Sequence, residues 1–302
     1  MRKLNALIKR NTKLFFKDKG VFFTSLITPL ILLVLYATFL SRVYRDSFTS
    51  GLPEGFDISE DIINGLVGGQ LLSSLLAVCC ITVAFCANMI MVADKVTGAR
   101  RDLNITPVSG ATMALGYYIS TFISTCIICL VAMGAGLVYL LNIGWYLSAA
   151  DVALMALDVF LLVMFGTALS SVINFFLSTQ GQISAVGSIV SSCYGFICGA
   201  YMPISSFAEG LQKVISFLPG TYATSLLRNH ATRGAFEAMK DEGMPDAVID
   251  GLRDAIDCNI YFFDNKVGIG TMFAILAGAV AVLIGAYVIM NVVSLKRARA
   301  KK

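Results

Sequence analysis

Residues 62–93 read IINGLVGGQLLSSLLAVCCITVAFCANMIMVA and contain no Asp, Glu, Lys or Arg. A helix that crosses a bilayer needs about 20 predominantly apolar residues, so this stretch is long enough to span one. The chain as a whole is 57% hydrophobic and 14% charged, whereas a typical soluble domain is about 25% charged. The stretch therefore predicts a membrane-spanning helix, and the composition predicts that much of the chain shares its environment.

Other uncharged runs predict the rest of an all-α membrane protein. Residues 21–41, 103–150, 159–208 and 267–295 also lack Asp, Glu, Lys and Arg. The two longest runs exceed a single crossing and divide at polar or Gly-containing turns. The sequence thus predicts six spans in one transmembrane domain (1–302), at 21–41, 67–93, 110–141, 151–178, 182–201 and 267–295.

Three segments outside the spans have their own character. Residues 1–20 are basic, with apolar residues at helical spacing, which predicts an amphipathic helix at the membrane surface. Residues 94–109 form a charged loop between the second and third spans. Residues 202–266 predict short re-entrant helices and a small helical extracellular cap between the fifth and sixth spans.

The distribution of basic residues orients the chain. Lys and Arg cluster in the N-terminal segment, in the 94–109 loop and after residue 295. Cytoplasmic loops and ends carry an excess of these residues, so both termini are predicted to be cytoplasmic. We expect a multi-pass protein of the cell membrane.

No catalytic motif is evident in the sequence. There is no G-x-x-x-x-G-K-[ST] phosphate loop, no H-E-x-x-H and no arguable Ser-His-Asp arrangement. Cys126 and Cys129 share a helix face but have no His or carboxylate nearby, which argues against a metal site. We therefore expect no enzymatic activity, catalytic residue, metal or bound cofactor in this chain.

Two polar residues and two cysteines leave alternatives open. Asp158 is the one ionisable residue well inside a predicted span, and it is either a proton site or a residue near the outer helix end that is bonded to a neighbour or to water. His230 is predicted to be an ordinary solvated residue of the outer region. A Cys198–Cys258 disulfide requires that both residues reach the outer face.

Three motifs resemble one family over essentially the full length of the chain. The first is a basic interfacial helix that leads through Lys17-Asp18-Lys19 into a span with a central Pro29. The others are Asp94-Lys95…Gly98…Leu103…Thr106-Pro107-Val108-Ser109 and Met202-Pro203-Ile204…Leu218-Pro219…Tyr222…Leu226…Arg228. Together they resemble the membrane subunits of ABC exporters of the ABC-2 type, including drug and multidrug exporters. The chain departs from the family pattern at Val96-Thr97, where a second acid is expected, and at Ala99, where a Thr is.

The resemblance implies partners and a coupling segment. Residues 95–103 would form a coupling helix against a separate cytoplasmic ABC ATPase, which would bind ATP and Mg. The coupling residues implied are Asp94, Lys95, Gly98, Arg100, Arg101 and Asp102. Positive-inside topology explains Arg100 and Arg101 equally well. The other implied partners are a second permease copy, identical or not, and membrane lipids, with no role for nucleic acid.

The resemblance also implies that the second and fifth spans of two permease copies line a translocation path. The small and weakly polar residues on those spans are Ser73, Ser74, Asn88, Ser184, Ser188, Ser191 and Cys198. Close helix packing explains the same residues.

A path without fixed charge favours a hydrophobic or amphipathic substrate, such as a drug-like molecule, a peptide or a lipid-linked compound. Export of a polysaccharide or glycolipid, an ion-coupled carrier that uses Asp158, and a non-transporting membrane partner are the alternatives.

Overall fold

The computed structural model describes residues 2–50, 58–263 and 265–300. Part of the predicted outer loop after the first span, and the basic residues Lys301 and Lys302, lie outside the described residues. The helices are α1 (Arg2–Lys17), α2 (Lys19–Leu35), α3 (Ser41–Ser50), α4 (Glu60–Val96), α5 (Ala99–Ile105), α6 (Gly110–Ile143), α7 (Ala149–Phe176), α8 (Gln180–Ile197), α9 (Glu209–Ile215), α10 (Pro219–Asp241), α11 (Asp246–Ala255) and α12 (Ile269–Ala300). A short antiparallel hairpin joins β1 (Tyr261–Phe262) to β2 (Asn265–Lys266).

The fold is that of an all-α membrane protein, as predicted. Among the described residues, four helices are long and apolar enough to cross a membrane: α4, α6, α7 and α12. The pair α1 and α2, bent by 73°, gives a fifth candidate if it counts as one span. The predicted fifth span corresponds to α8, whose first turn carries Gln180 and Gln182 and which falls short of the same criterion.

The first predicted span extends further than the sequence indicated. After α2, which contains Pro29, a π-helical turn at Tyr36–Leu40 leads directly into α3. Helical structure therefore continues past the predicted end at residue 41 to Ser50. Asp18 separates α1 from α2 and caps the latter, since its carboxylate accepts a hydrogen bond from the Val21 N–H at 3.2 Å.

Side-chain caps fix the starts of three later helices. Ser109 accepts from the Thr112 N–H at the start of α6. Ser148 and Asp151 form a reciprocal capping box on α7, and Thr179 and Gln182 form another on α8. These boxes satisfy N–H groups that a helix start otherwise leaves without partners.

Helix α4 is the centre of the bundle, with α2, α6, α7, α8 and α10 packed around it. Its neighbours approach so closely that some positions exclude a side chain. A Cβ at Gly69 would collide with the Ala231 carbonyl of α10, and one at Gly166 of α7 would lie 2.9 Å from the Cys80 carbonyl. The small residues of this region therefore serve close helix packing.

Helix α10 differs from the prediction of short re-entrant helices and a separate cap in the 202–266 region. The apolar segment around Tyr222–Leu227 and the first part of the predicted cap are one continuous helix, Pro219–Asp241, and its residues 220–232 are all buried. Pro219 occupies the first turn, where its missing N–H costs nothing. A mostly polar helix is thus enclosed by α4, α7 and α12, because its polar side chains find partners there.

The Cys198–Cys258 disulfide, left open by the sequence, is absent. Both cysteines are buried free thiols. The Cys258 sulfur lies 3.6 Å from the Thr232 hydroxyl of α10, and the Cys198 sulfur lies 3.8 Å from the Gly195 carbonyl. Each thiol therefore packs within its own surroundings.

Candidate functional site

The predicted coupling segment is a short helix that projects from the end of the central helix. Helix α4 ends at Val96, and Gly98 then adopts a left-handed conformation with φ of +85°. Glycine tolerates this conformation without the steric cost that a Cβ brings. The turn redirects the chain into α5, which ends before the capped start of α6.

Asp94 anchors the base of this segment inside the protomer. Its buried carboxylate receives two hydrogen bonds from the Arg10 guanidinium, at 2.6 and 2.8 Å, and one from the Tyr117 hydroxyl at 2.6 Å. This paired geometry is the strong form of an Arg–carboxylate contact. Asp94 therefore ties α4 to the interfacial helix α1 and to α6.

Lys95 fastens the segment to the end of α7. Its Nζ donates to the carbonyls of Asn174, Phe175 and Leu177, at 3.1, 2.5 and 2.8 Å. The last carbonyls of a helix lack partners within the helix and carry partial negative charge, so a cation is favourable there. Lys95 therefore joins the last turn of α4, just before α5, to the C-terminal end of α7.

The two predicted coupling arginines have different environments. Arg100 donates from Nη2 to the Asn291 side chain of α12 at 2.7 Å and lies over the Tyr117 ring, 5.3 Å from its centroid. Arg101 and its neighbour Asp102 are exposed. Ile105 at the end of α5 is 70% exposed, so the free face of α5 combines charge with an apolar side chain.

The predicted path residues of α4 are enclosed within the protomer. Ser73, Ser74 and Asn88 are at most 1% exposed. The Asn88 amide donates to the hydroxyls of Ser170 and Ser171 in α7, at 3.0 and 2.7 Å. In a single protomer these residues hold helices together.

The predicted path residues of α8 are distributed differently. Ser184 and Ser188 are exposed, and Ser191 is half-buried. Cys198, beyond the helix end, is buried. The serine face of α8 is thus the part of the predicted path that lies on the protomer surface.

Sequence reasoning missed Arg228 as the centre of a buried network, although it quoted the residue in a motif. Arg228 is 1% exposed and donates to the carbonyls of Ile256 and Gly199 at 2.6 and 2.8 Å. It also contacts Asp257 at 3.3 Å and the Ser74 hydroxyl at 3.3 Å. One guanidinium therefore joins α4, α10, the turn after α8 and the segment after α11.

Asp257 completes this network from the other side. Its carboxylate accepts the Ile204 N–H at 3.1 and 2.9 Å, and its backbone has a φ of +54°. Burial raises the pKa of Asp257, and the charge of Arg228 opposes that rise. Burial also raises the pKa of the nearby Cys258 thiol to about 11.

The prediction for His230 was wrong. His230 is 5% exposed, and its Nδ1 lies 2.5 Å from Oδ2 of Asp158, which is 1% exposed. The imidazole ring also stacks on Phe273 of α12, with 6.1 Å between centroids. A carboxylate inside an uncharged span requires a buried partner, and that requirement could have pointed to the only histidine of the chain.

A comparison with family models identifies the family of this chain. The family model for the ABC-2 type transporter matches residues 2–230, which is most of the chain. The chain belongs to the ABC-2 type transporter family. A comparison with curated proteins finds no match to this sequence.

Membership in this family agrees with the helical membrane architecture of the chain. An ABC-2 chain is the membrane component of an ABC transporter, a permease subunit that works with an ABC ATPase. The match runs from the interfacial helix α1 through α5 and α8 and ends at His230 within α10. The predicted coupling segment, the serine face of α8 and the Asp158–His230 pair therefore all lie within the residues of this ABC-2 permease that match the family model.

Proposed function

We propose that this chain is the permease subunit of an ATP-driven exporter that moves a hydrophobic or amphipathic molecule out of the cytoplasm. It works as a dimer with separate ATPase subunits. The observation that carries the proposal is α5, a short helix with an exposed face that directly follows the last turn of α4. In that turn Asp94 and Lys95 fasten α4 to α1, α6 and α7. A docked ATPase that displaces α5 would pull on three helices of the bundle at once.

Contacts at one end of the bundle support cytoplasmic termini. Lys3 donates to the Pro107 carbonyl at 2.8 Å, Arg10 pairs with Asp94, and Arg100 bonds to Asn291 near the end of α12. The N-terminal helix, the coupling segment and the C-terminal helix end thus meet on one side. This side is rich in Lys and Arg, as a cytoplasmic side should be.

The positions of the helix ends support the proposal of six crossings. The C-terminal end of α7 bonds to Lys95, and α12 passes Arg100 at Asn291, so both helices end on the side that we propose to be cytoplasmic. On this proposal α12 begins on the outer side. The intervening segment has to cross the membrane once. We assign this fifth crossing to α8 together with α10, which begins at Pro219 beside Tyr194 of α8 and ends beyond Arg233, an ion-pair partner of Asp151 at the start of α7.

The test is association with a co-expressed candidate ABC ATPase. Reversing the exposed charges in Arg101→Glu/Asp102→Lys should reduce co-purification and ATP hydrolysis by at least tenfold, while the purified permease stays folded. Lys213→Glu, a charge reversal at an exposed residue of α9 on the other side, is the matched control and should leave both measurements unchanged. Equal behaviour of the two variants would contradict the docking assignment.

Two alternatives remain distinct from this proposal. An ion-coupled carrier would lose transport in Asp158→Asn with no ATPase present, and a non-transporting membrane partner would bind the ATPase without substrate-dependent hydrolysis. A polysaccharide or glycolipid exporter would share the ATPase coupling and differ in substrate.

A further inference from the structure

An apolar cavity of about 440 Å³ lies where four helical segments meet, and Cys198 of the predicted path is part of its wall. Such a volume falls in the range of small-molecule sites, roughly 300 to 1,000 Å³. Its walls come from α7, α8, α10 and α12 and include Phe165, Leu169, Tyr194, Ile197, Gly220 and Val282. Ile197 is 40% and Val282 71% exposed, so the mouth opens between α8 and α12 on the apolar surface of the bundle.

The position along the helices places the cavity deep in the hydrocarbon layer. With a rise of about 1.5 Å per residue, Val282 lies about 20 Å along α12 from its start at Ile269. By the same rise, Phe165 lies about 16 Å from the end of α7 at Phe176. The hydrocarbon core is about 30 Å thick, so both residues lie near its middle. Only a molecule that dissolves in the bilayer can reach this mouth.

One polar group in the cavity lacks a partner. The Tyr194 hydroxyl is buried and has no hydrogen-bond partner among the described residues. The other hydroxyl in the wall, that of Thr221, already donates to the Ile215 carbonyl at 3.1 Å. A Cβ at Gly220 would lie 2.5 Å from the Tyr194 oxygen. Glycine at this position therefore leaves room for the hydroxyl. A buried hydroxyl without a partner costs free energy, which a ligand acceptor would recover.

We propose that this cavity binds a small hydrophobic molecule from the bilayer that carries one hydrogen-bond acceptor, held by the Tyr194 hydroxyl. Apolar walls with a single oriented polar group are the usual form of such a site. A phospholipid does not fit, because its ester groups lie near the bilayer surface and far from Tyr194. The inference that this molecule represents the exported class of substrate rests on the proposed function. Binding of the molecule in the cavity does not depend on an ATPase.

Benzophenone is a suitable probe, because it is apolar, has one carbonyl acceptor and attaches to neighbouring C–H bonds on illumination. In light, its excited carbonyl oxygen takes a hydrogen atom from a C–H bond, and the two carbon radicals then join, so that a tertiary alcohol is formed. The full-length chain in lipid nanodiscs would be illuminated with increasing benzophenone, and attachment sites read by peptide mass spectrometry. We expect saturable labelling confined to the walls of this cavity.

Competition in the wild-type chain isolates the hydrogen bond. Diphenylmethane has the same two rings as benzophenone but no carbonyl. It should therefore displace the probe less well than an equal excess of 4-methylbenzophenone, which keeps the carbonyl. A neutral hydrogen bond contributes about 0.5–1.5 kcal/mol, which corresponds to about a 2- to 10-fold difference in affinity. Tyr194→Phe should remove this difference.

Filling the cavity provides the second variant. Ala279 lines the cavity, and Ala279→Phe should abolish saturable labelling. Ala277→Phe places the same ring at an exposed position two residues away on α12 and should leave labelling intact.

Two results would overturn the proposal. One is labelling that rises without saturation and spreads over exposed helix faces such as that of Val131, which is 69% exposed. The other is equal displacement by the two competitors in the wild-type chain. Because no ATPase is present in these measurements, their failure leaves the docking proposal standing, and failure of ATPase association leaves the binding site standing.

Discussion

Arg228 connects several elements at the end of the bundle opposite to α5. Its guanidinium is buried and donates hydrogen bonds to two carbonyls, one carboxylate and one hydroxyl. A planar group with five donors suits such divergent acceptors, whereas a lysine ammonium has three donors and a different shape. The contacts of Arg228 also explain why Asp257 is tolerated in a buried position.

Removing this guanidinium should destabilise the protein strongly. Arg228→Gln leaves the Asp257 carboxylate buried without its cation, and breaking a buried pair in this way costs about 3–5 kcal/mol. We expect a marked fall in the melting temperature of the purified permease and a partial recovery in Arg228→Gln/Asp257→Asn. If the double variant were no more stable than the single one, the ion pair would not be the source of the loss.

The Asp158–His230 pair invites a separate test. We expect Asp158→Leu and His230→Leu each to destabilise the bundle by about 3 kcal/mol, since each leaves a buried polar group without its partner. The double variant should lose less than the sum, because neither orphan remains. Thermal unfolding of the four proteins in one detergent measures the coupling. Additive losses would mean that the two side chains act independently.

These residues also mark the limit of sequence reasoning. Asp158 was recognisable because it stands in an uncharged span, and Arg101 because it stands in a charged loop. The burial of Arg228 and His230 could not be recognised from the sequence, since both lie in a polar stretch that is typical of a solvated region. Their environment depends on contacts with α4 and α7, residues distant in sequence, which local patterns do not report.

Among the helices, α10 packs against the segment after α11 at the end of the bundle opposite to α5, and we call this contact the seal. Cys258 reports on this seal, because it is buried beneath α10 and its carbonyl accepts hydrogen bonds from Ser225 and Asn229 at 2.9 and 2.5 Å. Its thiol has a raised pKa of about 11, above the ordinary value of about 8.5.

The reactivity of Cys258 should follow that shift. The thiolate is the reactive form, so maleimide labelling of Cys258 should be slow at pH 7 and rise about tenfold per pH unit up to pH 9 without levelling off. An exposed thiol introduced by Ser206→Cys should label quickly and begin to level off near its ordinary pKa of about 8.5. Fast labelling of Cys258 at pH 7, followed by peptide mass spectrometry, would show that the seal is open.

Helix positions were largely predictable, and their lengths less so. Long uncharged runs located α4, α6, α7 and α12, but α4 begins at Glu60, seven residues before the predicted start at residue 67. The continuation of α2 into α3 was missed because Arg42 and Arg45 read as the end of an apolar run. The extent of α10 was missed because a polar sequence gave no sign of enclosure by three helices.

In the molecule as a whole, two separate networks of contacts lie at opposite ends of the bundle. One end gathers α1, α5 and the C-terminal parts of α7 and α12 around Asp94, Lys95 and Arg100. The other end gathers α10, α11 and the hairpin around Arg228 and Asp257. Helix α4 runs between them and contacts both, through Asp94 at one end and Ser74 nearer the other. On the proposed function, a displacement at α5 would reach the seal through the packed contacts of α4.

The central claim is that the free face of α5 meets an ABC ATPase, and site-specific photo-crosslinking tests it most directly. A photoreactive phenylalanine analogue would replace Asp102, Ser205 or Val131 in turn, in cells that also express the candidate ATPase. The account expects a crosslink to the ATPase from position 102, and none from position 205 on the outer side or from position 131 on the apolar surface. Crosslinks from position 205 or 131 but not from position 102 would contradict it.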